Sequence, residues 1–316
     1  MNKRNILVTG ASGFKGSVLV PKLLLAGYHV IALDTMWFGN NLDEHENLEI
    51  IQGDIRQLEK IALKDIDAIV HLASIANDPA GDLNPKLTWE ISALATMQLC
   101  DKASRSGIKQ FIYASSGSVY GLKDEPEVTE DLSAHPLTEY NKTKMVAERA
   151  VLSYSEKMAV QIVRPATVCG LAPRMRLDVA VNMLTFQALT RGEITVLGGD
   201  QTRPNIHMDD ITDLYLFLLD KPQLTGVYNA GFENLSIRQI AERICESIPA
   251  EIRFEKSNDP RSYRMNSDKL LSTGFRPKKS VRDAILEIKA AVETGKLIDD
   301  DRFHTVNWMK KKTIGV

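Results

Sequence analysis

Thr9-Gly10-Ala11-Ser12-Gly13-Phe14-Lys15-Gly16-Ser17 follows the apolar run Ile6-Leu7-Val8 and opens a helical pattern. A strand, a glycine turn and a helix in that order form a unit suited to a diphosphate. Gly10 permits the tight turn, Gly13 lets the backbone approach a pyrophosphate, and Gly16 lets the helix sit close to the sheet. The first N–H groups of that helix then face the anion. Ser12, Phe14 and Lys15 complete the cradle. On a helical wheel Lys15 falls beside Lys22, to one side of the stripe Gly16, Val20, Leu23 and Gly27. Its side chain is therefore expected on the rim, snorkelling outward, while its backbone N–H serves the phosphate.

The second apolar run, Val30-Ile31-Ala32-Leu33, ends in Asp34, eighteen residues after Gly16. An acidic side chain there accepts hydrogen bonds from an adenosine ribose and repels a 2'-phosphate, so the pattern favours NAD over NADP. Gly53-Asp54-Ile55 follows the third run, Leu48 to Ile51, and places Asp54 where it could reach the adenine or remain an ordinary loop aspartate.

Further runs at Ala68 to Leu72, Phe111 to Ala114 and Gln161 to Arg164 alternate with helical patterns. β-branched runs separated by crossover helices predict an α/β, Rossmann-type doubly wound parallel sheet. Beyond Arg164 the pattern loosens around Pro165, Pro173 and Pro204, with helices expected at Val179 to Thr190, Ile211 to Leu219 and Ile237 to Ser247. The expected division is a dinucleotide-binding domain over 1–165 and, over 166–316, a smaller C-terminal α/β lobe for substrate whose segments return in part to the first domain. The charged stretches Asp299-Asp300-Asp301 and Lys310-Lys311-Lys312 read as solvated surface.

Bulk properties narrow the class. A formal net charge of -2 gives no basic excess for nucleic acid or anionic membranes. Cys100, Cys169 and Cys245 lie far apart, with no CxxC pair and no metal-like histidine cluster, which points to a reducing compartment and no metal. The N-terminus lacks a signal-like apolar region, and no apolar run reaches the roughly 18 residues of a membrane span. A cytoplasmic location is the expectation.

Tyr140-Asn141-Lys142-Thr143-Lys144 sets a tyrosine and a lysine four apart, on one face of a helix. A Lys144 ammonium beside the Tyr140 ring is expected to lower the phenol's pKa and let it exchange a proton with a sugar hydroxyl. Upstream, the strand Phe111 to Ala114 runs into Ser115-Ser116-Gly117-Ser118. At the carboxyl end of a parallel strand, a hydroxyl at Ser116 could bind the same oxygen, with Ser115 and Ser118 as rivals.

With these motifs in order, the chain resembles an extended short-chain dehydrogenase/reductase of the NAD-dependent sugar epimerase/dehydratase family, in the manner of UDP-glucose 4-epimerases. The resemblance rests on TGASGFKG, Asp34, GDI, His71-Leu72-Ala73-Ser74, SSGSVYG, YNKTK, Arg164-Pro165, Arg203-Pro204-Asn205-Ile206-His207 and Asp259-Pro260-Arg261-Ser262-Tyr263. It implies a tightly held NAD, a nucleotide-diphosphate sugar substrate and a homodimer that pairs helices near Leu87 to Ala103 and Tyr140 to Tyr154. In the same resemblance Tyr140 is the acid/base. Lys144 tunes it and holds the nicotinamide ribose, and Ser116 orients the sugar hydroxyl. Leu72, Ala73, Ser74 and Pro165 line the cofactor cleft. Asn182, Arg203 and Arg261 meet the sugar nucleotide, with Arg264 competing for the role of Arg261.

The chain also departs from the family pattern. Gly117 and Ser118 stand where dehydratases carry an acidic pair, which disfavours elimination of water. Ser92 replaces an asparagine that supports the active-site backbone, and Ala166-Thr167-Val168-Cys169 lacks the asparagine of many UDP-hexose epimerases. Cys169 reads as a small buried residue rather than a nucleophile. Asn77, Asp78, Arg174, Met175 and Arg176 are candidates for shaping the sugar or base site. The leading function is an NAD-dependent nucleotide-sugar 4-epimerase. A 4-dehydrogenase or 4-ketoreductase that releases its keto product is the alternative, and a non-catalytic NAD sensor a remote one.

Overall fold

A computed structural model describes residues 4–256, 262–312 and 314. The first strand, β1 (Asn5–Thr9), shows why the chain folds as it does: Ile6 and Val8 point to one side and Leu7 to the other, and all three are fully buried. Only a strand covered on both faces accepts such a run. The same holds for β2 (His29–Asp34), β4 (Ala68–His71), β5 (Gln110–Ala114) and β6 (Ala159–Pro165). β3 (Leu48–Gln52) is half-exposed, as suits an edge.

Together with β10 (Gly226–Ala230), these strands form a parallel sheet in the order β10-β6-β5-β4-β1-β2-β3. Helices Gly16–Leu25 and Met208–Leu219 cover one face, and helices Ala95–Arg105 and Glu139–Leu152 the other. The doubly wound α/β sheet expected from the alternating pattern is present. One strand escaped the sequence reading: β10 (Gly226–Ala230) returns from the second half of the chain to extend the sheet beside β6.

Outside that sheet, β7 (Thr167–Cys169), β9 (Thr202–His207) and β11 (Glu233–Ser236) form a three-stranded sheet, while β8 (Glu193–Leu197) pairs with β12 (Glu251–Glu255). Helices Ala180–Arg191, Ile237–Cys245 and Val281–Glu293 pack with them around Val181, Leu184, Ile240 and Ile285. No helix among the described residues is long and apolar enough to cross a membrane.

Parallel strands all end at one edge of the sheet, and there the glycine turn is held tightly. The Gly10 and Ala11 N–H groups donate to the Leu33 carbonyl at the end of β2. Gly10 has φ +69°, and a Cβ there would lie 2.7 Å from the Ala73 nitrogen. A Cβ at Gly16 would press into the Ala11 and Gly10 carbonyls, which are backbone and cannot swing aside. Gly16→Ala is expected to lower unfolding stability by about 1–3 kcal/mol, the range for overpacking, as read by denaturant titration.

Candidate active site

The cleft above the carboxyl edge of the sheet has a volume of about 810 Å³. At one end Phe14, Lys15 and Gly16 present N–H groups that have no protein acceptor among the described residues. They stand at the start of the Gly16–Leu25 helix, where the dipole favours an anion. Across the turn, Asp34 accepts from the Ser12 N–H at 3.0 Å and the Met36 N–H at 2.7 Å. Burial pushes its carboxyl up, and those two bonds draw it back. Asp54 and Ile55 stand farther along the wall. Burial opposes the Asp54 charge, but Arg56 overcomes it with an Nη2 contact of 2.7 Å and holds the carboxyl below its usual range. Free N–H groups, a turn too crowded for side chains and a carboxylate at the end of β2 fit a dinucleotide.

Of the residues singled out in the sequence for cofactor and catalysis, all line this cleft except Lys144. Lys144 lies just beneath, 3% exposed, its Nζ donating to the Ala114 carbonyl at 2.8 Å. It stands 5.0 Å from the Tyr113 ring centroid and 5.9 Å from that of Tyr140. The expected lowering of the Tyr140 pKa by Lys144 does not hold for the protein's own groups. Burial drives the phenol up to about 12, and the charge that counters it comes from Arg176, after a hydrogen bond from Ser116. Lys144 is itself pushed well down by burial and by the nearby Lys15. Distance explains the outcome, since the ammonium is committed to a backbone carbonyl rather than to the phenol.

The serine turn also sorts its three hydroxyls. Ser115 donates to Glu148 and is taken out of the cleft. Ser116 lines the cleft, shares a hydrogen bond with Ser118 at 2.6 Å and is the hydroxyl of the turn that draws the Tyr140 phenol down. Ser118 in turn donates to Asn141 on the helix Glu139–Leu152, which carries Tyr140 and Lys144. Thr138 caps that helix, accepting from the Asn141 N–H at 3.2 Å and donating to Asp78 at 2.6 Å. At Gly117 a Cβ would press into the Met265 methyl and lie 3.1 Å from the Tyr263 hydroxyl. The Met265 methyl is the free end of a flexible side chain and can swing aside, so the departure from the dehydratase pattern lies in the residues themselves, Gly117 and Ser118, and not in a want of space.

Beneath this layer Arg164 and Glu148 form a buried ion pair, Nη2 to Oε2 at 2.7 Å, with exposures of 9% and 3%. Arg164 also donates to the Tyr120 hydroxyl at 2.7 Å, and Tyr120 donates to Asn229 on β10 at 2.8 Å. His71 lies between Thr9 at 2.6 Å and Thr96 at 2.8 Å, and burial lowers it to about 3, so it is a neutral packing group. Ser92, in a π-helical turn over Glu90–Leu94, accepts the Ile75 N–H at 3.2 Å and so does support the cleft backbone. Cys169 is fully buried and its thiol is pushed up by burial, as a packing residue's should be.

At the substrate end the placements are mixed. Arg203 lines the cleft from β9. Asn182 does not: it is fully buried, its amide accepting from the Gly170 N–H at 2.9 Å and donating to the Gly170 and Arg176 carbonyls at 3.2 and 3.0 Å. With those three bonds made, it clamps the loop that carries Arg176 rather than meeting a ligand. Arg261 lies outside the described residues, and its rival Arg264 is exposed and away from the cleft wall. Arg174 and Arg176 separate. Arg174 stacks on Phe38 at 4.1 Å and bonds Thr305 at 3.0 Å, near the Asp34 end. Arg176 pairs with Asp178 at 2.8 Å near Tyr140.

Two further features differ from the sequence reading. Lys15 is half-buried and turned into the cleft, close enough to Lys144 for their charges to repel, instead of lying outward on the rim beside Lys22. The C-terminal stretch is a wall of the site as well as a charged surface. His304, Thr305, Val306 and Asn307 line the cleft, Thr305 N–H donates to Asp178 at 3.0 Å, and Trp308 Nε1 donates to the Trp37 carbonyl at 2.7 Å. The exposed Asp299, Asp301 and Lys310 to Lys312 concealed the apolar residues between them. Alternation of Val306 and Met309 with polar neighbours was the available signal.

A sequence model described as the NAD dependent epimerase/dehydratase family matches residues 6–231. The chain is 27% identical to a putative UDP-glucose 4-epimerase of Methanocaldococcus jannaschii, with 96% of this chain and 98% of that one covered. It is 30% identical to UDP-glucuronic acid decarboxylase 1 of Xenopus tropicalis, covering 87% of this chain and 69% of that protein. Among solved structures it resembles UDP-glucuronic acid 4-epimerase from Bacillus cereus in complex with UDP-glucuronic acid and NAD. That match has 30% identity and a TM-score of 0.78, over 90% of this chain and 99% of that one.

Two outcomes follow from the site's electrostatics. Removing a positive charge near Tyr140 disfavours phenolate and removing a negative charge favours it. The limb on which activity rises as Tyr140 ionises should therefore move to higher pH in Arg176→Leu and to lower pH in Asp78→Asn, since Asp78 raises the phenol's pKa and Arg176 lowers it. Stability is the second readout. Glu148→Ala strands the buried Arg164 guanidinium and should cost about 3–5 kcal/mol in denaturant titration.

Proposed function

The chain belongs to the NAD-dependent epimerase/dehydratase family, and we propose that within it the protein is a 4-epimerase of a nucleotide-diphosphate sugar, working through a transient 4-keto sugar. The observation that carries this reading is the placement of Tyr140 and Ser116 together on one cleft wall, with Gly117 and Ser118 standing where dehydratases carry an acidic pair. Groups for exchanging one hydroxyl proton are together, whereas neither Gly117 nor Ser118 supplies a carboxylate for eliminating water.

NAD is the cofactor, held by the glycine turn, Asp34, Asp54, Ile55, Leu72, Ala73, Ser74 and Pro165; when bound it supplies a hydride acceptor and donor and, oxidised, a positive charge that favours phenolate. Ser116 and Tyr140 would share the sugar's C4 hydroxyl between them. Tyr140 takes the hydroxyl proton as C4 is oxidised and returns it after the keto sugar has turned its other face. A phenol held near 12 is protonated at neutral pH, so Tyr140 is ready as the acid for that return and needs nearby positive charge to serve as the base. Arg176 supplies some of it, and Lys144, whose placement the Ala114 carbonyl fixes, holds the nicotinamide ribose. Arg203 is suited to the substrate diphosphate from β9. The UDP-sugar named for the Bacillus cereus epimerase supports uridine as the first base to try.

The helical stretch Glu90–Arg105 leaves Leu94 and Met97 exposed at 48% and 41%, which supports a homodimer through that surface. For activity, NAD-loaded protein should interconvert at least one pair of UDP-sugars differing only at C4, followed by chromatography. Tyr140→Phe should lower kcat/KM about 10²–10⁴-fold while leaving bound NAD in place. Stoichiometric NADH with a keto product would favour the 4-dehydrogenase or ketoreductase reading, and conversion of no pair would end the epimerase reading.

A further inference from the structure

Lys15 directly precedes the Gly16–Leu25 helix, and its side chain lines the cleft together with Gly13, Ser74, Tyr140 and Arg176. No hydrogen bond or ion pair engages its ammonium among the described residues. Lys22, on the same helix, shows the ordinary alternative: its ammonium lies 2.9 Å from Asp209 and 2.8 Å from Asp213 on the outer face. Lys15 instead faces other cations, Arg176 and Lys144. The neighbouring carboxylate Asp178 is already paired with Arg176 at 2.8 Å. Burial and Arg176 together bring Lys15 down to about 8. A half-buried ammonium held beside like charges, with unbonded N–H groups at its own and the flanking positions, lacks a counter-anion.

We propose that Lys15 binds the NAD pyrophosphate twice, through its backbone N–H and through its ammonium, as a side-chain anchor added to the glycine turn. The grip uses the cofactor and not the sugar reaction, so it stands or falls independently of the epimerase reading. A diphosphate within reach offsets the repulsion among Lys15, Arg176 and Lys144 and raises Lys15 from its lowered pKa. Affinity for NAD then depends on salt, because a charge pair is screened. It also depends on pH. The pair needs the charged amine, so affinity falls as pH rises through about 8. The other charged and titratable groups facing this place are the Tyr140 phenol, the Lys144 ammonium, the Asp34, Asp78 and Asp178 carboxylates and the Arg174 and Arg176 guanidiniums.

Full-length protein stripped of cofactor can be titrated calorimetrically with NAD, without sugar, at low and high salt and at pH below and above about 8. Lys15→Ile should bind NAD about tenfold to a hundredfold more weakly at low salt, with a smaller deficit at high salt. Lys15→Arg should bind within a few fold of wild type and lose the part of the pH dependence that Lys15 carries, because its guanidinium stays charged, so that its affinity falls less steeply than that of wild type. Binding by Lys15→Ile within about twofold of wild type, with an equal salt slope, would overturn the proposal. So would a Lys15→Arg protein whose affinity falls as steeply as wild type across that pH range, a readout that remains if the isoleucine variant does not fold.

Discussion

The site depends first on the buried pair of Arg164 and Glu148. Arg164 comes from the end of β6 and Glu148 from the helix Glu139–Leu152, so their contact fixes that helix to the sheet beneath Tyr140 and Lys144. Glu148 also takes the Ser115 hydroxyl, leaving Ser116 as the turn's hydroxyl for the phenol. Arg164 continues through Tyr120 to Asn229, tying β10 and the serine turn into one network. Burial works against the guanidinium charge, and the bonds to Glu148 outweigh it. Such pairs add little net stability compared with apolar packing, yet breaking one is costly. Its contribution here is positional.

Above that foundation the cleft gathers charge. Lys15, Lys144 and the loop residues Arg174 and Arg176 converge from three segments, and burial or mutual repulsion pushes Lys15, Lys144 and Arg174 down. The carboxylates on the cleft wall are already engaged: Asp178 with Arg176, Asp34 with two backbone N–H groups, Asp54 with Arg56 and Asp78 with the Thr138 hydroxyl. Cations beside engaged carboxylates, with N–H groups that have no acceptor among the described residues, suit anions, and a dinucleotide together with a sugar nucleotide brings two diphosphates. Arg176 also favours phenolate at Tyr140, so ligand binding and proton chemistry share a group.

Local pattern made the first half of the chain legible. β1, the glycine turn and Asp34 are read from short stretches whose spacing has one geometric solution, and the serine turn and Tyr140-Asn141-Lys142-Thr143-Lys144 follow from strand ends and helix periodicity. What stayed hidden depended on tertiary contact. Asn182 keeps its place at a helix start but spends its amide on Gly170 and the Arg176 carbonyl, which no spacing reveals. The wheel position of Lys15 indicated a rim, whereas the direction of a side chain before a helix's first turn depends on what lies across the cleft. The tyrosine and lysine sit four apart as read, but the Ala114 carbonyl claims the ammonium. Likewise, β10 and the Thr305–Lys311 helix reach the first half of the chain only through long connections.

The central claim is that one hydride leaves C4 of a sugar and returns to its other face within a single binding event. It is tested most directly with a nucleotide sugar substrate carrying deuterium at C4, followed by mass and NMR analysis of the product. The account predicts the C4 epimer with its deuterium retained and no net NADH. Epimer that has lost the label, or keto product with NADH accumulating in step, would contradict it.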